Sequence, residues 1–212
     1  MKFRTKRAGY TLVEMTVAVT VLGLVLGSVG VFQNMSNDQS QSLIERSQLE
    51  SRGQRTLHRI VGELTGVAQS LLVPDPGSAF GSSSLTYQRA ASVSDSGSIV
   101  WESPSTLRLE ADPADPSNGQ DDDGDGLTDE CRLVLLKAGT SATTVLCTNV
   151  SQMAGGEAVN GYDEDSDGIV DETGFHVQRT GDLLRVHLSV LEARREGEPL
   201  RVDLEASVVL RN

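Results

Sequence analysis

The chain has 212 residues, a formal net charge of −12 and only 4% aromatic side chains. That length holds one ordinary globular domain plus an appendage. So acidic a surface repels phosphate and excludes a nucleic-acid partner, leaving cations, metal ions above all, as its natural complement.

Reading from the start, residues 1–9 carry Lys2, Arg4, Lys6 and Arg7, so the rest of the chain is more acidic still. From Tyr10 to Phe32 the run YTLVEMTVAVTVLGLVLGSVGVF is almost wholly apolar, and Glu14 is its only acid. About 20 such residues span a hydrocarbon core. The basic flank holds that end in the cytoplasm, which places everything after Phe32 outside the membrane. A secretory signal would have a shorter apolar region followed by a small-x-small cleavage site. A plain anchor fits the length but leaves Glu14 unexplained, because a mid-span charge costs roughly 2.5 to 3.5 kcal/mol on insertion scales.

Residues Arg7 to Glu14, RAGYTLVE, closely resemble the cleavage and methylation motif of type IV pilins and type II secretion pseudopilins. The resemblance implies that a prepilin peptidase and N-methyltransferase cuts after Gly9 and methylates the new N-terminal residue, Tyr10. It also implies that Glu14 serves assembly, with other pilins or pseudopilins as partners. The location it implies is the bacterial inner membrane, single-pass with the head outside, and then a pilus or pseudopilus. The physical logic stands beside the family. Cleavage creates an α-amino group with a reference pKa of about 8, hence cationic at neutral pH. Glu14 lies four residues deeper, roughly 6 Å along a helix. In a staggered bundle its carboxylate meets a neighbour's ammonium, and both desolvation penalties fall together. Gly23 and Gly27 form a small-xxx-small pair suited to close helix approach.

Beyond Phe32 the helical period continues through Leu57, Ile60, Val61, Leu64, Val67, Ala68, Leu71 and Leu72, and predicts one helix from Tyr10 to Leu72, broken at Pro74. Eight strands are expected after it: 85–90, 98–102, 106–110, 132–137, 143–148, 175–179, 183–191 and 200–210, the last three as a meander. The expected fold is α+β, a long N-terminal helix against an antiparallel head, as in pilins. Its segments are a leader at 1–9, a membrane or filament-core helix at 10–32, an amphipathic continuation at 33–73 and the head at 74–212. The closing Val208 to Asn212, VVLRN, resembles the last strand of W-type minor pilins and J-type pseudopilins.

Two loops, NGQDDDGDGLTDE at 118–130 and NGYDEDSDGIVDE at 160–172, share the pattern N-G-x-D-x-D-x-D-G-x-x-D-E. The core D-x-D-x-D-G resembles the first half of an EF-hand-like calcium loop. Hard Ca²⁺ takes six to eight oxygens, and carboxylates at positions 1, 3 and 5 wrap one ion if glycine at 6 allows the turn. The ligands so expected are Asp121, Asp123, Asp125, the Leu127 carbonyl and Asp129, and Asp163, Asp165, Asp167, the Ile169 carbonyl and Asp171. Position 12, the usual bidentate glutamate, is Arg132 or Gly174. Glu130 and Glu172, or an acid from elsewhere, are left to close the shells. Up to two Ca²⁺ ions are expected.

Cys131 follows the first loop and Cys147 lies on the next strand. A disulfide between them would close about 15 residues and add roughly 3 kcal/mol, with two free buried thiols as the alternative. No nucleophile elbow, P-loop, dinucleotide fingerprint or zinc spacing occurs, so no enzyme activity is expected. Three readings remain open: a filament subunit, a calcium-dependent adhesin on the same anchor, and an anchored calcium-binding protein that never assembles.

Overall fold

The computed structural model describes residues 11–77, 81–137, 139, 143–194 and 197–210. Gly9 and Tyr10, the expected processing site, lie outside the described residues. The chain has a long apolar N-terminal helix, α1 (Leu12–Leu64), followed by an antiparallel β head, the α+β arrangement expected of a pilin fold. It divides into two compact units, Met1–Glu45 and Arg46–Asn212.

In the first unit α1 carries the apolar stretch Leu12–Gln33, with a mean hydropathy of 2.2. At 1.5 Å per residue its 22 residues run about 33 Å, enough to cross a hydrocarbon core of about 30 Å. Its side chains are exposed, from Leu12 to Phe32. The hydroxyls in it bond back to helix carbonyls: Thr16 to Leu12 O, Thr20 to Thr16 O and Ser28 to Val25 O. A spanning helix requires that internal satisfaction, since lipid offers no partner.

In the second unit α1 presents Leu49, Thr56, Leu57, Ile60 and Leu64 to the core at spacings of three, four and seven. The helix ends at Leu64, not at Leu72 as the period suggested. Gly66 takes a left-handed φ of 85°, a conformation that glycine adopts without steric cost and that stops a helix. Val67, Ala68 and Leu72 stay buried beyond that stop, in a bridge to Arg89 and a short 3₁₀ turn, so their burial is real though their helicity is not. Leu49, only 2% exposed, lies upstream of the stripe read from sequence.

Among the described residues nine strands follow: β1 (Ser84–Tyr87), β2 (Ala90–Val93), β3 (Ile99–Trp101), β4 (Ser105–Ala111), β5 (Cys131–Leu136), β6 (Thr143–Val150), β7 (Phe175–Thr180), β8 (Leu183–Glu192) and β9 (Leu200–Val209). The strand expected at 85–90 is in fact two. β1 ends at Tyr87, and β2 leaves to pair only with β3 as a separate ribbon. The main sheet runs β1-β4-β5-β6-β8, with β7 and β9 both paired to β8. β9 pairs along all of β8, while β6 meets it only at Val150 opposite Val190 and β7 takes Leu183–Leu188. Leu184, Val186, Leu188 and Val190 point into the core, as their alternation predicts, together with Leu107, Leu133, Leu135, Phe175 and Val177.

The sheet sets the cysteines apart. Cys147 faces Leu133 and Cys131 faces Val150, with bulges between, so the two lie diagonally rather than opposite. The structure holds both as free, buried thiols, and the expected disulfide is not formed. Burial pushes the Cys131 thiol up to about 11, with the nearby Glu130 charge adding to it.

The turn between the second acidic loop and β7 rests on Gly174, whose N–H donates to Gln152 O and whose O accepts from Ser189 N–H. A Cβ there would fall 1.9 Å from the carbonyl oxygen of Ser151, a backbone atom that cannot step aside. Gly174→Ala is therefore expected to destabilise the head by on the order of 3 kcal/mol, read as a lowered urea midpoint with an unchanged slope. A midpoint equal to that of the unchanged chain would show the turn to be pliable.

Candidate functional site

At the N-terminal end, Thr11 and Glu14 hold each other. The Glu14 Oε2 atom accepts the Thr11 N–H at 2.8 Å and its hydroxyl at 3.0 Å, and the Thr11 hydroxyl accepts the Glu14 N–H at 3.2 Å. This is a capping box: Thr11 precedes the first helical residue and Glu14 is the third within the helix. The T-x-x-E spacing was available in the sequence as a helix start, and it gives Glu14 a local partner besides any intermolecular one.

The two acidic loops share a core set of hydrogen bonds. Asp123 and Asp165 accept the N–H two residues on at 3.0 Å, from Asp125 and Asp167. Asp125 and Asp167 do the same for Leu127 and Ile169 at 2.8 Å. Asp121 and Asp163 reach across to Gly126 and Gly168, both at 3.0 Å. These two glycines sit at φ 88° and 95°, the sharp turn expected at position 6. Leu127 and Ile169 anchor the loops with side chains that are fully buried.

Asp129 and Asp171 act differently from the expected ligands. Asp129 accepts the N–H groups of Asn118 and Gly119, and Asp171 those of Asn160 and Gly161, using both carboxylate oxygens in each case. They clamp each loop shut at its mouth. The acids that do gather are Asp121, Asp123 and Asp125 in the first loop, and in the second Glu157, Asp163 and Asp165 together with Asp165, Asp167 and Glu172. Within each of these groups the carboxylate oxygens lie within 4.8 Å of one another. At that separation two charges repel by about 3 kcal/mol at an effective dielectric near 20.

Glu130 and Glu172, left open by sequence, are each 2% exposed. Burial pushes Glu130 up to about 7. Burial, together with its acidic neighbours Glu157 and Asp167, pushes Glu172 up to about 8. Position 12 supplies no ligand. Arg132 turns to Glu110 at 2.7 Å, and Gly174 has no room for a side chain.

Two further acids complete the repeat and were missed. The offset that lays Asn118 on Asn160 also lays Asp115 on Glu157. Asp115 accepts the Asp122 and Asp129 N–H groups, which hold its carboxyl below the usual range. Glu157 accepts the Glu164 and Asp165 N–H groups in the same place. Extending the loop comparison six residues upstream of Asp121 and Asp163 would have found them. Four buried carboxylate oxygens, on Glu130, Glu157, Asp163 and Glu172, have no hydrogen-bond donor among the described residues. One of these lies in the first loop and three in the second, and oxygen is the donor that a hard divalent cation such as Ca²⁺ takes.

The described residues thus combine an exposed, membrane-length apolar helix having one acid near its start with a β head bearing two acid-lined loops. Residues 4–30 match the prokaryotic N-terminal methylation motif. This motif supports a type IV pilin-like or pseudopilin-type subunit anchored in a membrane, with other pilins and a prepilin peptidase as its general partners. The methylation motif takes in Gly9, Tyr10 and Glu14 and ends before the polar part of α1 begins. No curated protein and no solved structure matches the chain.

Proposed function

We propose that the chain is a structural filament subunit, a minor pilin or pseudopilin of a type IV pilus or type II secretion pseudopilus, with no catalysis of its own. The observation that carries this reading is the methylation motif lying directly on a 22-residue apolar helix whose one acid is Glu14. In this reading prepilin peptidase cuts after Gly9 in the bacterial inner membrane, Tyr10 is methylated, and the head stands outside the cytoplasm. Lipid covers the apolar helix first and neighbouring helices cover it afterwards. The ammonium of Tyr10 on one subunit then meets Glu14 on the next.

Calcium in the head belongs to the same proposal. Buried carboxylate oxygens without donors, set beside further acids, support it. A cation replaces mutual repulsion with coordination, and sites of about 10⁻⁴ to 10⁻³ M suffice outside a cell. The terminal VVLRN supports the W-type or J-type assignment.

Mass spectrometry of the mature chain tests the processing step. The expected mass lacks residues 1–9 and carries one extra methyl on Tyr10. A chain that keeps Met1, or begins anywhere other than Tyr10, would overturn the filament reading.

A further inference from the structure

The two loops share a backbone, yet they differ in how many carboxylate oxygens are already engaged. In the first, Asp115 gives one oxygen to the Asp122 N–H at 2.9 Å and the other to the Asp129 N–H at 2.6 Å. Asp121 gives both of its oxygens, to Gly124 and Gly126. Asp125 also uses both, on the Leu127 N–H and on the side-chain amide of Asn149 from β6, at 3.0 Å. An ion entering this loop must compete with those donors, and a single buried oxygen, Glu130 Oε2, stands without one.

The second loop is less occupied, and two substitutions within the repeat contribute to this. Glu157 stands where the first loop has Asp115, and it places Oε1 on the Glu164 and Asp165 N–H groups while Oε2 stays without a donor. Ser166 stands where the first loop has Gly124, and the Oδ1 atom of Asp163, whose counterpart binds Gly124, is buried without a donor. Glu172, 2% exposed, likewise keeps Oε2 without a donor, and its carboxylate lies within 4.8 Å of those of Asp165 and Asp167. His176, beside this loop, brings no compensating charge, because its Nδ1–H donates to Thr173 O at 3.0 Å and burial keeps the ring neutral.

We propose that the second loop is the tighter of two calcium sites, and that Glu157 and Glu172, both outside the D-x-D-x-D-G core, close its coordination shell. The inference rests on the calcium reading above and assigns its residues. Asp165 belongs to both acid groups of this loop, so the two groups adjoin around it. An ion with 2.3 to 2.6 Å bonds touches oxygens up to about 5 Å apart, which matches that spacing. The larger, flexible shell of Ca²⁺ accommodates carboxylates from five chain positions better than the strict octahedron of Mg²⁺. A cleft of about 300 Å³ lined by Asp165, Asp167 and Glu172 gives the ion an approach.

Calorimetric titration of the detergent-solubilised full chain with calcium chloride tests this. Two unequal classes of site are expected. Glu172→Gln and Glu157→Gln should each weaken the tighter class at least tenfold and leave the weaker within twofold, and Glu130→Gln should do the reverse. Survival of the tighter class in both Glu172→Gln and Glu157→Gln, or its loss in Glu130→Gln, would overturn the assignment while calcium binding itself stood. Absence of calcium uptake by the unchanged chain at millimolar ion would be a different failure and would remove the calcium reading altogether. The two second-loop variants act from opposite ends of the loop, so misfolding of one, seen by circular dichroism, leaves the other to decide.

Discussion

Glu14→Gln is expected to reach the membrane as the unchanged chain does and to fall at least tenfold in filament incorporation. The substitution separates the helix cap that the structure shows from the proposed pairing with a neighbouring subunit. As the third residue of α1, Glu14 caps the helix by accepting the Thr11 N–H at 2.8 Å. Glutamine keeps that bond, since glutamate and glutamine serve equally in a capping box. What glutamine removes is the charge that, in the proposed filament, pairs with a neighbour's ammonium. Leaving one member of a buried pair alone costs about 3 to 5 kcal/mol, and each 1.4 kcal/mol is a factor of ten. Glu14→Ala loses the cap as well, worth about 1 kcal/mol, and should be no better. Membrane fractionation and quantitation of sheared filaments by immunoblot give the two readouts. If Glu14→Gln assembles normally while Glu14→Ala does not, the acid is a helix cap and nothing more.

Chelation of calcium is expected to lower the melting temperature of the full chain in detergent by roughly 10 to 20 °C, and excess calcium should restore it. A ligand at about 100 times its dissociation constant stabilises the folded state by about 2.7 kcal/mol per site. Sites of about 10⁻⁴ M reach that at about 10 mM ion. Two such sites give about 5 kcal/mol, and a domain of this size shifts by about 2 to 4 °C for each kcal/mol. The free acid clusters give the same sign from the other side. Glu172 and Glu130 are buried among other acids, so the head without an ion holds carboxyls displaced to about 8 and about 7. Equal melting temperatures in chelator and in calcium would leave the loops as solvated acid.

Much of this was legible in the sequence because it depends on local period and composition. The apolar run gives a helix long and apolar enough to cross a membrane, alternation at Leu184 to Val190 gives β8, and the repeated D-x-D-x-D-G gives two turns of one shape. These features need only the neighbouring residues to be known. The strand ends agree to within three residues for the same reason, apart from the run at 85–90. There, the choice of partner splits β1 from β2, and no pattern within the strand encodes its partner.

Other features were decided only when distant segments met. Leu49 counts as core because the sheet reaches back along α1, and Val67 is buried in a bridge to Arg89 rather than in a helix. Cys131 and Cys147 look like a pair in the chain, yet the bulged register of β5 and β6 sets them diagonally. The acids that matter most in the loops, Glu157 and Glu172, have ordinary neighbours in sequence. They become distinctive through an oxygen buried without a donor. The sequence by itself determined that the chain starts with a methylation motif on a membrane-length helix and carries two acid-rich turns, because periodicity, charge and turn chemistry act over a few residues. Only the tertiary structure decided which acids lack partners and which thiols stay apart, because desolvation and register depend on what the rest of the chain packs against each group.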